Sequence, residues 1–532
     1  MKKKYSHFMM QAFVLAAAGI FARILGFLYR IPMQNLLGDS GTGVYGQSYS
    51  LYMFFFVISS AGMPSAISKM VSTRVVLKQY SNALKVLKVA IVIAGTIGFF
   101  SMLFMYFGAN YLATFLHSRH IVYSLMALSP AVFITSIMSV LRGYFQGFGN
   151  SLPTAISQVL EQLLNAIFSV VLVYIFLDYG IEVSAAGGTA ASSIGALFGL
   201  LFIIWVYFIN RKLQNARIKR YKNIEIYEPK KKIAKEIFTT SFPIVIGIAI
   251  FSMTNIIDTR MVVVILEEIG FSHDTALNYF GQLSGKFVLL TTLPVSIATA
   301  ISIALIPSIA ASDALNHNDT IKQKVNTSLR FTMLICVPAS IGISVLARPI
   351  ILFLFPNSPD GYRLLQIGGI SIIFLALSQV AAGILQGMNF LKIPILAAVL
   401  GGIVKIILNY VLISIPSINI LGAVFSTIAC YFVSSTINLY NVSKKINVKI
   451  DFLIVFVKPL FSSIFMGLVC YITFYIVYFV NGNNTISLFS SIIVGCFAYF
   501  CVMIFCRGIT EKELQNLPLV SVFAKFLRKV GL

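Results

Sequence analysis

The chain alternates between long apolar runs and short segments that are rich in polar and basic residues. Each run extends for about 20 residues, which is the length of α-helix that crosses the hydrocarbon core of a bilayer. The pattern therefore predicts an all-α polytopic membrane protein with about fourteen transmembrane helices. The predicted spans are residues 8–30, 45–66, 86–109, 121–145, 153–177, 185–209, 237–265, 278–306, 329–354, 364–388, 394–413, 420–440, 452–480 and 486–506.

The composition supports a membrane protein and excludes a soluble one. The 532 residues are 58% hydrophobic and only 11% charged, whereas soluble domains carry about 25% charged residues. The net charge of +23 does not indicate nucleic-acid binding, because the Lys and Arg residues lie in short loops between the apolar runs. That distribution is typical of membrane topology and of contact with anionic lipid headgroups.

The loop charges also predict the orientation of the chain. If the N-terminus is cytoplasmic, Arg119 and Arg363 are the basic loop residues that fall outside, and the other loop Lys and Arg residues fall inside. Lys and Arg accumulate in the cytoplasmic loops of membrane proteins. We therefore expect both termini to be cytoplasmic, and we expect the first apolar run to be retained as a helix.

Two motifs occur in both halves of the chain. Gln146-Gly147 and Gln386-Gly387 each precede a proline and then an apolar helix with a late asparagine, at Asn165 and Asn409. A second echo pairs Tyr45-Gly46-Gln47 with Phe280-Gly281-Gln282. The repeat unit is six spans, and an even number returns the chain to the same side of the membrane. We therefore predict two parallel six-helix repeats plus two extra helices.

Internal repeats around a central site are typical of secondary transporters. We expect the longest polar stretch to be a basic cytoplasmic linker between the two repeats. The predicted division is an N-terminal lobe at 1–209, the linker at 210–236, a C-terminal lobe at 237–440, helices 13 and 14 at 441–510, and a cytoplasmic tail at 511–532 that could form an amphipathic helix.

An ionisable pair lies in the fourth and fifth spans. Ionisable side chains inside a membrane are costly, and they tend to face a cavity or a partner. Arg142 and Glu161 are symmetric about the turn that joins these antiparallel spans, so we expect their side chains to meet at similar depth. A buried ion pair that fastens the helical hairpin is the favoured interpretation, and direct contact with substrate is the alternative.

Four further cations lie in spans 1, 7 and 8, namely Arg23, Arg30, Arg260 and Lys286. Spans 1 and 7 correspond in the repeat, so we expect these cations to face one cavity, with Asp258 as the nearby carboxylate. Arg30 alone favours a second interpretation, in which it extends to the outer headgroups. A cationic cavity suits a polyanion such as a diphosphate, for which Arg supplies bidentate donors.

The sequence contains no pattern that indicates catalysis. We find no His-x-x-x-His, Gly-x-Ser-x-Gly or P-loop pattern, each of which would indicate a metal, nucleophile or nucleotide site. We therefore predict a transporter and not an enzyme, without cofactor or bound metal. A coupling cation or the membrane potential would drive it, and Asp258 and Glu161 are the deep carboxylates that could couple a cation.

Three segments resemble one known family. "ARILGFLYRIPMQNLLGDSGTGVYGQSYSLY", "LRGYFQGFGNSLPTAISQVLEQ" and "LPVSIATAISIALIPSIAAS" resemble the stage V sporulation protein B group of polysaccharide flippases. This group belongs to the multidrug/oligosaccharidyl-lipid/polysaccharide exporter superfamily, together with the MurJ lipid II flippases. The resemblance implies a central cationic cavity for a diphosphate-sugar head and a groove at spans 13 and 14 for a polyprenyl tail. It also implies that Arg23 matches an arginine of the first helix and that Asp39 matches a loop aspartate.

The resemblance implies a flippase for a polyprenyl-diphosphate-linked glycan precursor in the bacterial cytoplasmic membrane. Lipid II for peptidoglycan synthesis is the favoured substrate. The alternatives are a flippase for another lipid-linked polysaccharide, of capsule, teichoic or sporulation type, and a cation-coupled multidrug exporter. The expected partners are the lipid-linked glycan and membrane lipids, with the cell-wall synthesis machinery as a candidate and nucleic acid excluded. A scaffold without transport activity remains a further alternative, for which the cavity charges would be dispensable.

Overall fold

The computed structural model describes residues 2–221, 228–315, 317–448, 451–506 and 508. Nineteen α-helices account for most of these residues. Helices dominate because a backbone in lipid has to satisfy its hydrogen bonds internally. They are α1 (Lys2–Leu28), α2 (Arg30–Phe56), α3 (Met63–Val76), α4 (Tyr80–Phe107), α5 (Ala109–Phe115), α6 (Val122–Gly147), α7 (Leu152–Ile175), α8 (Ile181–Tyr221), α9 (Lys230–Glu268), α10 (His273–Gly281), α11 (Val288–Ala314), α12 (Asn318–Val345), α13 (Ala347–Leu354), α14 (Tyr362–Gly368), α15 (Ser371–Gly387), α16 (Lys392–Ile413), α17 (Leu421–Ile446), α18 (Lys458–Asn481) and α19 (Asn484–Phe505).

The number of long apolar helices agrees roughly with the fourteen predicted spans. Among the described residues, 11 helices are long and apolar enough to cross a membrane, or 12 if the bent pair α14 and α15 is one span. The first predicted span lies on α1, whose described apolar part is Ala17–Leu28, and the seventh lies on α9. The prediction of an all-α, multi-pass membrane protein is confirmed.

The chain between the first two spans is helical on both sides of a sharp break. Gly38 has φ 67° and ψ −174° inside α2, a left-handed φ that glycine adopts without the steric cost of a Cβ. A five-residue π-helical turn at Val57–Ala61 then joins α2 to α3. Arg30 therefore lies on a helical segment before the break, and Asp39 lies directly after it.

Much of the predicted linker is helical. α8 continues to Tyr221 and α9 begins at Lys230, because Lys, Arg, Gln and Leu are good helix formers. Arg74, at the end of α3, donates to Glu228 and to Glu236 at 2.5 and 2.7 Å. These bonds attach both the linker and α9 to the cytoplasmic end that we predict for α3. Residues 222–227 and the predicted tail at 511–532 lie outside the described residues.

The first compact unit comprises Met1–Leu289 together with Gly402–Ser426. One of its cores packs α2 against α6 through buried residues such as Met33 and Leu128. A second core packs α3 and α4 against α6 and includes Ile67 and Val86. The C-terminal half of α16 and the first residues of α17 thus belong to the same unit as the N-terminal part of the chain.

The second compact unit comprises Leu290–Gly401 and Thr427–Leu532. Its main core packs α11, α12 and α15 and includes Leu329 and Ile384. A smaller core joins α12 to α18 and α19 through Met466 and Met503. Many side chains on α18 and α19 are exposed and apolar, as expected for helices that face lipid. The division into two lobes at 209 and 237 stays a prediction.

Inside the first unit, α2 and α10 cross in close contact. A Cβ on Gly281 would lie 1.8 Å from the backbone oxygen of Asp39, and a Cβ on Gly43 would lie 2.4 Å from the oxygen of Leu277. Gly46 faces Phe280 and Ser284 in the same contact. The two copies of the Gly-Gln echo therefore lie against each other, and the glycines allow the two backbones to touch.

Candidate functional site

A cavity of about 250 Å³ lies in the first unit. Its walls come from α2, from one face of α9 and from the π-helical turn Gln282–Phe287. π-helical turns within membrane helices are frequent at functional sites. The polar side chains of the lining belong to Arg30, Gln34, Thr42, Tyr45, Tyr49, Ser50, Ser252, Asn255, Asp258, Thr259 and Ser284.

Arg30 is held in this cavity by aromatic rings. Its Cζ atom lies 5.9 Å from the ring centroid of Tyr45 and 5.5 Å from that of Tyr49. These two rings stack on each other with centroids 5.7 Å apart, and the hydroxyl of Tyr45 contacts that of Tyr29 at 3.2 Å. Cation–π contacts with these rings hold the flat guanidinium through its face. Among the described residues Arg30 has no carboxylate in ion-pair contact.

Lys286 is buried and paired beside the cavity. Its side chain is 0% exposed, and Nζ lies 2.8 Å from a carboxylate oxygen of Asp39. Gln34 also donates to the carboxylate of Asp39, at 3.0 Å from Oδ1. The sequence led us to expect that Lys286 faces the cavity. It lies outside the cavity lining, and the carboxylate of Asp39 neutralises its charge.

Asp258 lies on the cavity wall and is also neutralised. Lys405 donates to one of its oxygens at 2.8 Å, and Asn409 donates to the other. Ser426 donates in turn to the amide oxygen of Asn409. This network joins α9, α16 and α17 through a carboxylate and an ammonium of opposite charge.

The two late asparagines of the repeat make corresponding contacts. Ser192 on α8 donates to Asn165 on α7 at 3.3 Å, as Ser426 on α17 donates to Asn409 on α16. In both halves the asparagine thus bonds a serine of the following helix. The structure gives this echo of the sequence a common geometry.

Arg142 and Glu161 form an ion pair, with Arg142 Nη2 at 2.8 Å from the carboxylate. The same guanidinium donates to Ser157 at 2.8 Å. The side chains are 16% and 17% exposed, so the pair is largely buried between α6 and α7. The geometry is the one expected for the hairpin pair.

The structure does not bring the four predicted cations together. Arg23 is exposed on α1, outside the lining of the cavity. Arg260 is also exposed, with its guanidinium 4.9 Å from the ring centroid of Phe115. Arg260 follows Asp258 by two residues and therefore lies off the face of α9 that lines the cavity. Its side chain contacts the ring of Phe115 instead. Arg30 is thus the member of the set that lines the described cavity.

The sequence reasoning missed the aromatic contacts of Arg30 and the partners of Lys286 and Asp258. One signal was available for the aromatic contacts. Tyr45 and Tyr49 are one helical turn apart, so their rings share a face of α2. The carboxylate partner of Lys286 gave no such signal, because it lies 247 residues away.

Apolar helices that enclose a small polar cavity with paired intramembrane charges are typical of membrane transporters. Residues 8–313 match the family model described as "Polysaccharide biosynthesis protein", and residues 281–411 match the MatE model. The chain belongs to the polysaccharide biosynthesis protein family. This confirms the resemblance to the polysaccharide flippases and to their exporter superfamily.

Relatives from Bacillus subtilis cover most of the chain. Stage V sporulation protein B is 27% identical over 97% of this chain and 98% of its own length. Lipid II flippase MurJ is 30% identical over 79% of this chain and 80% of its own. Among solved structures, a lipid II flippase MurJ in an inward closed conformation aligns with a TM-score of 0.71 at 16% identity, covering 93% of this chain and 99% of that one.

Proposed function

We propose that the protein is a flippase that moves a polyprenyl-diphosphate-linked glycan precursor from the inner to the outer leaflet of the bacterial cytoplasmic membrane. Lipid II is the favoured substrate, because the lipid II flippase of Bacillus subtilis is a relative that covers most of the chain. In this proposal both termini are cytoplasmic, and no covalent chemistry takes place. The bilayer opposes the polar head, and the tail stays in lipid.

The proposal depends on one observation, the state of Arg30. Arg30 lines the cavity. Its contacts there are with the rings of two tyrosines and not with a carboxylate. A diphosphate would therefore not have to displace an existing counter-ion. Arg binds phosphate oxygens with parallel N–H bonds, which makes it well suited to this group.

The size of the cavity limits what it holds in this conformation. Pockets for drug-sized ligands measure about 300–1,000 Å³, and this one is about 250 Å³. It accommodates a diphosphate but not a complete glycan head. The helices around it have to separate for the head to pass, and the α2–α10 crossing is the contact that would open toward the outer side.

The membrane potential is the driving force that we propose for this substrate. Moving one charge across the membrane is worth about 2.3 kcal/mol per 100 mV. A diphosphate with two negative charges would therefore gain about 5 kcal/mol per 100 mV, since the cytoplasm is negative. The alternative is coupling to a cation that binds Asp258. The positive charge of Lys405, which is paired with Asp258, disfavours the binding of such a cation.

The same neutralisation favours a flippase over a multidrug exporter. An exporter of cationic drugs needs an uncompensated carboxylate in its cavity, whereas Asp258 is paired with Lys405 at 2.8 Å. A flippase for another lipid-linked polysaccharide has no such disadvantage. The glycan is therefore the part of the proposal that experiment has to decide.

The test is complementation of a bacterial strain that is depleted of its own lipid II flippase. Arg30→Gln should abolish growth at normal membrane levels, and Arg30→Lys should support it partly, because lysine keeps the charge but loses the bidentate fork. Arg348→Gln is a matched control, since Arg348 also lies over a tyrosine ring, 5.9 Å from the centroid of Tyr362, and is outside the cavity. Full growth of the Arg30→Gln strain would refute the role of Arg30.

The same depletion identifies the glycan. Accumulation of lipid II in the cytoplasmic leaflet, relieved by the wild-type protein, would support the favoured substrate. Accumulation of a different lipid-linked precursor in a deletion strain would assign the protein to the alternative polysaccharide. Growth without any precursor accumulation would favour the exporter or the scaffold.

A further inference from the structure

A second and larger cavity lies in the second unit, between the antiparallel helices α11 and α12. Its volume is about 620 Å³, more than twice that of the candidate site. One end is polar and includes Ser308, Gln323 and Lys324, while the other end is apolar and includes Ile301, Phe331 and Ile335. This cavity is an elongated groove with two chemically different ends.

The length of the groove matches one leaflet of a bilayer. Lys324 and Ile335 are eleven residues apart on α12, which corresponds to about 16 Å of helix at 1.5 Å per residue. The hydrocarbon core is about 30 Å thick, so the apolar end lies near its middle if Lys324 lies at the headgroups. In our topology the turn between α11 and α12 is cytoplasmic, which places the polar end at the inner leaflet.

Lys324 is fixed at the polar end with unused capacity. Its Nζ donates to the backbone oxygen of Ser308 at 2.8 Å and to the hydroxyl of Ser312 at 2.7 Å. An ammonium has three N–H donors, so one is left for a ligand. No carboxylate among the described residues pairs with Lys324, so its positive charge is uncompensated.

We propose that this groove binds an anionic glycerophospholipid of the inner leaflet. The phosphate would accept from Lys324, and an acyl chain would lie along Ile301, Phe331 and Ile335. Basic pockets between transmembrane helices on the cytoplasmic side bind anionic headgroups in this way. The groove shares no lining residue with the candidate site, so the proposal does not require that the protein moves a lipid-linked glycan.

The test measures lipid binding to the full-length protein by native mass spectrometry. The probes are phosphatidylglycerol, phosphatidylethanolamine and undecaprenyl phosphate. Lys324→Gln should weaken phosphatidylglycerol binding about fivefold, since one lysine near the membrane surface is worth about 1 kcal/mol. Lys324→Arg should retain binding. Lys322→Gln is the control, because Lys322 lies outside the groove and contacts Asp319 at 4.0 Å.

A second variant tests the apolar end. Ala304 lines the groove, and Ala304→Phe should fill it and reduce phosphatidylglycerol binding while Lys324 is intact. This variant decides the matter if Lys324→Gln does not elute as folded protein. Unchanged binding in both variants would overturn the proposal. Equal binding of phosphatidylethanolamine would refute the role of charge, and preferential binding of undecaprenyl phosphate would assign the groove to polyprenyl lipids instead.

Discussion

Asp39→Asn should destabilise the protein strongly, because it removes the carboxylate that neutralises a buried ammonium. The side chain of Lys286 is 0% exposed and that of Asp39 is 8% exposed, with 2.8 Å between nitrogen and oxygen. Asparagine keeps the shape of the side chain and removes its charge. Breaking a buried pair in this way costs about 3–5 kcal/mol. We expect the free energy of unfolding to fall by that amount.

The double variant Asp39→Asn, Lys286→Met separates the charge from the shape. Methionine fills the space of the lysine stem without an ammonium, and replacing both members of a buried pair is often nearly neutral. We therefore expect the double variant to recover most of the stability that Asp39→Asn loses. The double-mutant cycle then measures the coupling between the two positions.

Stability can be measured in detergent with a dye that reacts with cysteines as they become exposed, because Cys336, Cys430 and Cys470 are buried. Lys322→Gln is the matched control. Its partner Asp319 is 4.0 Å away at the surface, and such pairs contribute at most about 1 kcal/mol. If Asp39→Asn has the same unfolding midpoint as the wild-type protein, the buried ion pair does not stabilise the fold, and this prediction is wrong.

Two further predictions concern folded yield, measured by size-exclusion chromatography of membrane extracts. Glu161→Gln should lower the yield, because it removes the carboxylate that pairs with Arg142. Exchanging the two residues should restore part of the yield. A normal yield of Glu161→Gln with no transport would instead place the pair in the substrate path. Gly281→Ala should also lower the yield, because its Cβ would meet a backbone oxygen at 1.8 Å, whereas Gly95→Ala, with nothing within 4 Å, should not. Equal yields for these two alanine variants would contradict the close crossing.

The sequence alone determined the all-α, multi-pass fold and the meeting of Arg142 with Glu161. Apolar runs of membrane-spanning length predict helices because lipid leaves the backbone no other partner. The Arg142–Glu161 contact followed from the symmetry of the two residues about one turn, since neighbouring antiparallel helices place such positions at equal depth. The six-span repeat stays a prediction from sequence echoes, of which Asn165 and Asn409 make equivalent contacts with serines of the following helices.

Only the tertiary structure decided which intramembrane charges are paired and which of the predicted cations lines the described cavity. Helical periodicity is local, so it assigns a side chain to a face but does not identify a partner on a distant helix. Lys286 finds Asp39 across 247 residues, and Lys405 finds Asp258 across 147. Because a buried ammonium needs an opposite charge, these two lysines are paired with carboxylates, while the rings of Tyr45 and Tyr49 leave Arg30 as the cation that faces the cavity.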